Sequence, residues 1–527
     1  MTTRQLDFDA CYLAVSARDS RFDGRFYTAV TSTGIYCRPI CPARTPARRN
    51  VRFYRHAAAA EAAGFRPCRR CRPELSPGDP GWDVRADLVS RALRLIDDGA
   101  ADEQGVAGLA RRLHVTERHL HRLFVAELGT GPLAVARTRR LLLAKQLLTE
   151  TSLPITDVAF ASGFGSVRQF NAAMKESYGF APGDLRKAAG PLTTAGSGRT
   201  GLVLRLGYRT PYDAQSVLRF LAARAVPGVE SVTWSRPPAH EGRVLSYARA
   251  IPGGAVTLVP ADDHIRLTVR TTDTRQLARI VSRCRRMLDL DADPEAVASV
   301  LGTTALAPLV LASPGLRVPG AFDGFEMAVR AVVGQQISVA GARTILGRIA
   351  ARAGIPADGQ PDAQPDASAD AQPDAPEGAL SGIADGEPRL LFPTAGMLAA
   401  ADLTGLGLTT RRVATLTALA EAVAAGEIDL DGAEDPAEAV AKLLRIPGIG
   451  PWTASYVALR SLRDPDAWPG DDLVLKKTMA RLGIAPEEAE RWRPWRAYAA
   501  LHLWGASSAD PLTDHPKEEA ADAPRQP

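Results

Sequence analysis

Between Leu443 and Asp472 the chain has few conformations open to it. Ile446-Pro447-Gly448-Ile449-Gly450-Pro451 separates two apolar runs of helical period. Neither run continues through it, because each proline lacks an amide donor and glycine tolerates backbone angles that end a helix. Two helices joined by a tight hairpin result. The amides of Gly448 and Gly450 then stand at the mouth of the second helix, where they form a sequence-blind seat for a phosphate. The same corner also serves as an ordinary packing unit. What separates the two readings lies downstream, in a Trp/Pro-bounded loop that ends in Gly470-Asp471-Asp472.

With that loop included, the segment resembles the helix-hairpin-helix and Gly/Pro/Asp signature of the DNA glycosylase superfamily, and within it the AlkA-type 3-methyladenine DNA glycosylases. The similarity takes in Pro211-Tyr212-Asp213, Phe220 to Val226, Val333-Gly334-Gln335-Gln336-Ile337-Ser338 and Arg491 to Arg496. It runs from about Leu202 to Trp504. The resemblance implies that Asp472 is the catalytic carboxylate, with Asp471 as its companion, although an aspartate pair at the start of a helix is more often just an N-cap, the alternative reading for Asp471. It puts Trp452, Tyr456 and Trp504 around an extruded base, against the alternative of plain core packing. Gln336 falls where a relative inserts an aliphatic side chain into the vacated stack. The second hairpin helix opens Trp452-Thr453 where lyase-competent members carry a lysine. That points to a monofunctional hydrolase of the N-glycosidic bond, with no Schiff base.

The first quarter carries a different signature. Cys37-x3-Cys41 and Cys68-x2-Cys71 have spacings suited to one tetrahedral Zn2+ site, either a structural knuckle or something reactive. Arginines crowd both pairs. Residues 1–190 hold 29 Lys+Arg against 19 Asp+Glu, the balance of a polyanion-binding surface or of plain solubilising charge. Thr33-Gly34-Ile35-Tyr36-Cys37-Arg38-Pro39-Ile40-Cys41 and Gly64 to Cys71 closely resemble the N-terminal domain of the Ada adaptive-response protein. On that resemblance Cys37 accepts a methyl group from a DNA methylphosphotriester in a single turnover, Cys41, Cys68 and Cys71 remain ligands, and Thr33, Arg44 and Arg66 meet the DNA backbone. Cys11 and Cys284 are left over, too few for an iron-sulfur cluster. The chain contains no Pro-Cys-His-Arg motif, so the alkylguanine transferase half of Ada is replaced by the glycosylase.

Between the two lie duplicated helical patterns. Val106, Leu109, Ala110 and Leu113 precede Thr116, a plausible N-cap, and then Leu120, Leu123 and Phe124; Ile155, Val158 and Ala159 lead through a Gly/Ser turn to Phe170 and Met174. An amphipathic segment over about Pro132–Leu148 joins them. The tandem resembles the AraC-type domain, which implies that Arg118, His119 and Arg122 of one unit and Ser166, Arg168 and Gln169 of the other face DNA. A generic helical bundle is the alternative.

At 527 residues three or four domains of roughly 150 residues are expected. The reading is a multidomain, mainly α chain. It comprises a small zinc-bound α/β domain (1–78), an AraC-type double helix-turn-helix (84–187), a flexible linker (188–200), an α+β companion lobe (201–290) and an all-α helix-hairpin-helix glycosylase core (291–506). Strands are expected in the lobe at 202–206, 229–234, 243–250 and 265–269. Repeated Gln-Pro-Asp-Ala units mark 355–388, with eight acids and no Lys or Arg, as a disordered insert, and 507–527 as a disordered tail. No signal peptide or spanning segment is read, so a cytoplasmic, nucleoid-associated monomer is expected. Its partners are alkylated and promoter double-stranded DNA and RNA polymerase. Two functions fit: a fused methyl sensor, transcription activator and repair glycosylase, or a methylation-switched regulator whose glycosylase half only binds or scans DNA.

Overall fold

The computed structural model describes residues 6–78, 88–188, 201–235, 242–358 and 387–507. The linker, most of the acidic insert and residues 508–527 lie outside them. Among the described residues no helix is long and apolar enough to cross a membrane.

The first unit is a four-stranded sheet in the order Val51–Tyr54, Tyr27–Val30, Ile35–Cys37, Arg66–Pro67. The last two strands are parallel, with Tyr36 opposite Pro67, and the Cys68 amide donates to the Tyr36 carbonyl. That register is what brings Cys37 and Cys68, far apart in sequence, to adjoining strand ends.

In the next unit Thr116 and Ser166 cap the second helix of each helix-turn-helix, accepting from the amides of His119 and Gln169. Each cap contributes about 1 kcal/mol. The joining helix, Pro132–Glu150, departs from the expected amphipathic pattern: it is covered on most sides, burying eleven of its 19 residues. Three of its basic side chains are spent within the protein: Arg139 and Arg140 pair with Asp102, and Lys145 with Glu74. Arg137 pairs with Glu176 at the surface.

The lobe is a five-stranded antiparallel sheet in the order Leu202–Gly207, His264–Thr271, Gly254–Pro260, Val244–Ile251, Glu230–Trp234. The strand Gly254–Pro260 was not expected from the sequence. It is bracketed by Gly253 and Pro260, which read as turn residues, and it is held by pairing on both edges. The acidic insert also begins later than its composition implied. Ile355–Pro356 pairs with Leu390–Leu391, and the Ala357 carbonyl accepts from Gly253, which ties residues that read as disordered to the lobe.

One finding cuts across the expected boundaries. Leu147, Leu148, Phe164 and Phe170 of the helix-turn-helix region share one hydrophobic core with Leu204, Leu206 and Val256 of the lobe. Polar contacts follow the same seam: Gln146 Nε2 donates to the Arg205 carbonyl at 3.0 Å and the Arg205 amide donates to Glu150 at 3.1 Å. The two units are packed together in spite of the linker between them.

Lobe and glycosylase core are joined by buried charge. Arg249 donates to Glu230 and Glu326, each at 3.1 Å, and Arg330 reaches Glu230 at 2.7 Å and Glu326 at 2.8 Å. Burial opposes ionisation of Glu326, but Arg249 and then Arg330 outweigh it and hold the carboxyl down to about 2. With a depressed folded value, this stabilisation is present above the ordinary glutamate range and is lost as pH falls through about 2. Arg249→Met leaves two buried carboxylates sharing Arg330 as their one remaining arginine partner. The expected cost is about 3–5 kcal/mol, measured as a fall in the urea midpoint at neutral pH.

Candidate active site and zinc centre

The hairpin forms as the sequence dictates. Pro436–Leu443 and Pro451–Arg460 are its helices, with Ile446 and Ile449 buried between them. Gly448 adopts φ +94°, and a Cβ there would meet Thr415 Oγ1 at 2.1 Å, so the position excludes other residues on conformation and on space. Gly450 is the N-cap of the second helix. Among the described residues no protein acceptor takes the amide of Gly448 or Gly450, which is the state a phosphate seat requires.

From this hairpin the second helix carries Trp452 and Tyr456, one turn apart and stacked at 5.3 Å with an interplanar angle of 8°. Trp504, on the helix Arg496–Gly505, meets Tyr456 edge-on at 6.3 Å. Half-buried Asp472 lies where these rings converge. Its Oδ2 accepts from Trp452 Nε1 at 2.8 Å, and its Oδ1 accepts from Trp504 Nε1 at 3.1 Å and from the Leu475 amide at 2.9 Å. The N-cap reading for Asp471 does not hold, since it is Asp472 that caps the helix Leu473–Arg481 while also facing the cleft. Asp471 points away and pairs with Lys476 at 3.0 Å in solvent.

The four residues line a cleft of about 1190 Å³ between lobe and core. This volume exceeds a single base and leaves room for a nucleoside and its flanking backbone. Other residues of the cleft were not picked out from the sequence. Arg460 is 4% exposed, donates to the Tyr456 hydroxyl at 2.8 Å and lies over the Phe220 ring. Burial would raise the Tyr456 phenol, but Arg460 and Arg224 hold it below its ordinary value. His502 also lines the cleft, and burial drives its imidazole down to about 4, so it is neutral at physiological pH. Phe220 and Arg224 belong to the stretch that carried the resemblance, and that was the available signal for them. Gln336 is exposed at the lip of the cleft with φ +56°.

At the other end of the chain the sulfurs of Cys37, Cys41, Cys68 and Cys71 lie within 4.8 Å of one another. The donor set fits a divalent cation. Crowding of four thiols pushes Cys37 far above its ordinary value through contact with Cys41, then Cys68 and Cys71, while Cys37 draws Cys41 down to about 7. A doubly charged ion satisfies all four sulfurs at once. The amides of Arg38 and Arg70 donate to Cys71 and Cys68 sulfurs at 3.3 and 3.4 Å, the contacts expected around thiolate ligands. Cys68 and Cys71 are buried, whereas Cys37 and Cys41 are partly accessible.

The predicted DNA contacts do not form one cluster. Thr33, Arg44 and Arg66 are exposed on the zinc domain, Arg118 and Arg122 on the first helix-turn-helix, and Arg168 and Gln169 on the second. His119 is half-buried and shares a hydrogen bond with Arg122 at 3.1 Å. Ser166 is exposed but its hydroxyl is engaged as the helix cap. Beside Arg66, Arg69 stacks on Phe180 at 4.1 Å, so the zinc loop touches the second helix-turn-helix directly.

A hairpin that leads an aromatic cleft to one carboxylate, joined to tandem helix-turn-helix units and a four-cysteine centre, defines a modular DNA repair enzyme with a DNA-reading half. Family descriptions match in the same places: the metal binding domain of Ada over residues 10–74, a helix-turn-helix domain over 109–188 and the AlkA N-terminal domain over 203–323. The chain belongs to the AlkA-type bifunctional transcriptional activator and DNA repair enzymes: it is 42% identical over 522 residues to the probable bifunctional transcriptional activator/DNA repair enzyme AlkA of Mycobacterium tuberculosis, covering 97% of this chain and 99% of that one. It is 35% identical over 314 residues to DNA-3-methyladenine glycosylase 2 of Escherichia coli, which spans 57% of this chain and 95% of the relative. Over 136 residues it is 43% identical to the bifunctional transcriptional activator/DNA repair enzyme Ada of Escherichia coli, 25% of this chain and 37% of that one.

Proposed function

We propose that the protein couples removal of alkylated bases from double-stranded DNA to a methyl-sensing transcriptional response. The observation that carries the repair reading is the pair of indole N–H donors that converge on Asp472 at the head of the aromatic cleft. Those hydrogen bonds hold one oxygen of the carboxylate each and aim the group into the cleft.

The hairpin amides grip the backbone phosphate and the damaged nucleoside swings into the cleft. A purine alkylated on a ring nitrogen is cationic, and it stacks against the faces of Trp452 and Tyr456. The glycosidic C–N bond breaks with its electron pair leaving on the base, which becomes neutral. The Asp472 carboxylate stabilises the positive charge that develops on the sugar, and water then adds to it with loss of a proton. No residue on the hairpin helix is placed to form an imine, so the enzyme is a monofunctional hydrolase.

In the zinc domain, Cys37 Sγ attacks the methyl carbon of a methylphosphotriester. An S–C bond forms, the C–O bond breaks, and the phosphodiester leaves as its anion. When bound, zinc keeps the four thiols ionised at neutral pH. Burial sets Cys68 and Cys71 aside as acceptors, and between the two accessible thiols, Cys37 and Cys41, the resemblance to the Ada domain selects Cys37. The thioether lowers the negative charge of the centre by one, so the Arg-rich face around it binds DNA more tightly. The helix-turn-helix units then hold promoter DNA, with RNA polymerase as the partner and a monomer as the active form.

The test is one incubation of the full chain with methylated duplex DNA, read by intact-protein and small-molecule mass spectrometry. A single methyl adduct on Cys37 together with released methylpurine is expected. An adduct without base release favours the second reading, a regulator whose glycosylase half only binds DNA; base release without an adduct removes the sensor.

A further inference from the structure

Gln336 holds a left-handed backbone, which a residue with a Cβ adopts only where its surroundings impose it. The restraint is its neighbour. Gln335 Nε2 donates to the Gly448 carbonyl at 3.1 Å and to Thr453 Oγ1 at 2.8 Å, and the Gln335 carbonyl accepts from Arg412. Gly448 is the turn of the hairpin, and Thr453, 2% exposed, lies in the first turn of the helix that follows it. One side-chain amide therefore fastens the lip of the cleft to the hairpin. Both of its N–H groups are used, so neither a carboxylate nor an apolar side chain of the same length reproduces the contacts.

We infer that Gln335 is a positioning residue that makes the hairpin phosphate seat and Gln336 one rigid body, so that gripping the backbone and filling the vacated stack occur as a single movement. The inference rests on the proposed role of the hairpin and of Gln336 in base extrusion. Gln335 touches neither base nor sugar and acts only through the residue beside it. Thr415 braces the hairpin from the opposite side, donating to the Pro447 carbonyl at 2.8 Å, so loss of Gln335 leaves the turn itself standing.

The experiment is a double-mutant cycle on the full chain, using a duplex with one alkylated purine beside a fluorescent 2-aminopurine. Extrusion is read from the fluorescence rise and chemistry from single-turnover base release. Gln335→Leu is expected to lower both about tenfold, the effect of one or two lost hydrogen bonds, with affinity for undamaged duplex kept. Gln335→Glu donates to neither Gly448 nor Thr453, sets a carboxylate oxygen against the Gly448 carbonyl and is expected to fall at least as far as Gln335→Leu. In a Gln336→Ala background the Gln335→Leu penalty is expected to vanish, because the two act as a unit. Additive losses, or unchanged extrusion in Gln335→Leu, overturn the coupling. Unchanged extrusion in Gln336→Ala alone overturns instead the underlying reading of Gln336 as the stack-filling residue.

Discussion

Asp472→Asn is expected to bind methylated duplex and release essentially no base, with single-turnover excision down about a thousandfold or more. The substitution is close to isosteric, and asparagine caps a helix about as well as aspartate, so the helix Leu473–Arg481 should persist. What is lost is the negative charge beside the aromatic rings of the cleft. A second effect comes from the hydrogen bonds. The carboxylate takes an indole N–H on each oxygen, from Trp452 and from Trp504, whereas an amide has one acceptor and turns its NH2 toward the other indole. One donor is left facing a donor, at a cost of about 1–3 kcal/mol, and a lower melting temperature should accompany the lost activity. Trp452→Phe separates the two effects: it removes one hydrogen bond and keeps the charge, so excision should fall about ten- to a hundredfold and no further. Release by Asp472→Asn within tenfold of wild type would remove the carboxylate from its assigned role.

The second large effect is on methyl uptake. Cys37→Ala should acquire no methyl group from methylphosphotriester DNA and should excise alkylated bases at the wild-type rate, because Cys37 lies at a strand end in the zinc domain and contributes nothing to the cleft. Cys68→Ala should behave differently although it removes the same atom. Cys68 is 6% exposed, and its carbonyl accepts from Lys145 Nζ at 3.1 Å; that ammonium also donates to Glu74 at 2.7 Å. Arg72 extends the chain of contacts from Glu74 to Glu150, which caps the Arg205 amide of the lobe. A loop that has lost its metal releases this line of contacts, so Cys68→Ala should lose zinc and also lower the melting temperature of the whole chain. Zinc content by atomic absorption and a thermal scan distinguish the two variants. Equal melting temperatures would show that the zinc loop does not brace the linking helix.

The parts of the site that were legible in the sequence are those fixed by local chemistry. Pro447, Gly448, Gly450 and Pro451 leave a hairpin as the available solution, and Thr116 announces its own helix start. The cysteine spacings announce a four-sulfur centre, which the sheet register assembles. Where the reading failed, the deciding contact was distant in sequence. Gly254–Pro260 is a strand because two neighbours pair with it. Ile355–Pro356 is ordered because Leu390–Leu391 returns to it across the insert. The segment that carries Arg139, Arg140 and Lys145 read as amphipathic, yet their partners Asp102 and Glu74 come from other elements and draw these side chains inside the protein.

The sequence alone determined which modules the chain contains and offered the side chains whose chemistry suits metal binding, methyl acceptance and glycosidic cleavage. Turn geometry, helix caps and ligand spacing act over a few bonds and are written in short words. Only the tertiary structure decided what those side chains touch. It turned two aromatics read as pocket walls into donors to Asp472, made Gln335 the tie between hairpin and lip, and fused the helix-turn-helix region to the lobe through a shared core. Those outcomes depend on burial and on contacts between segments 20 to 118 residues apart, which no local pattern specifies.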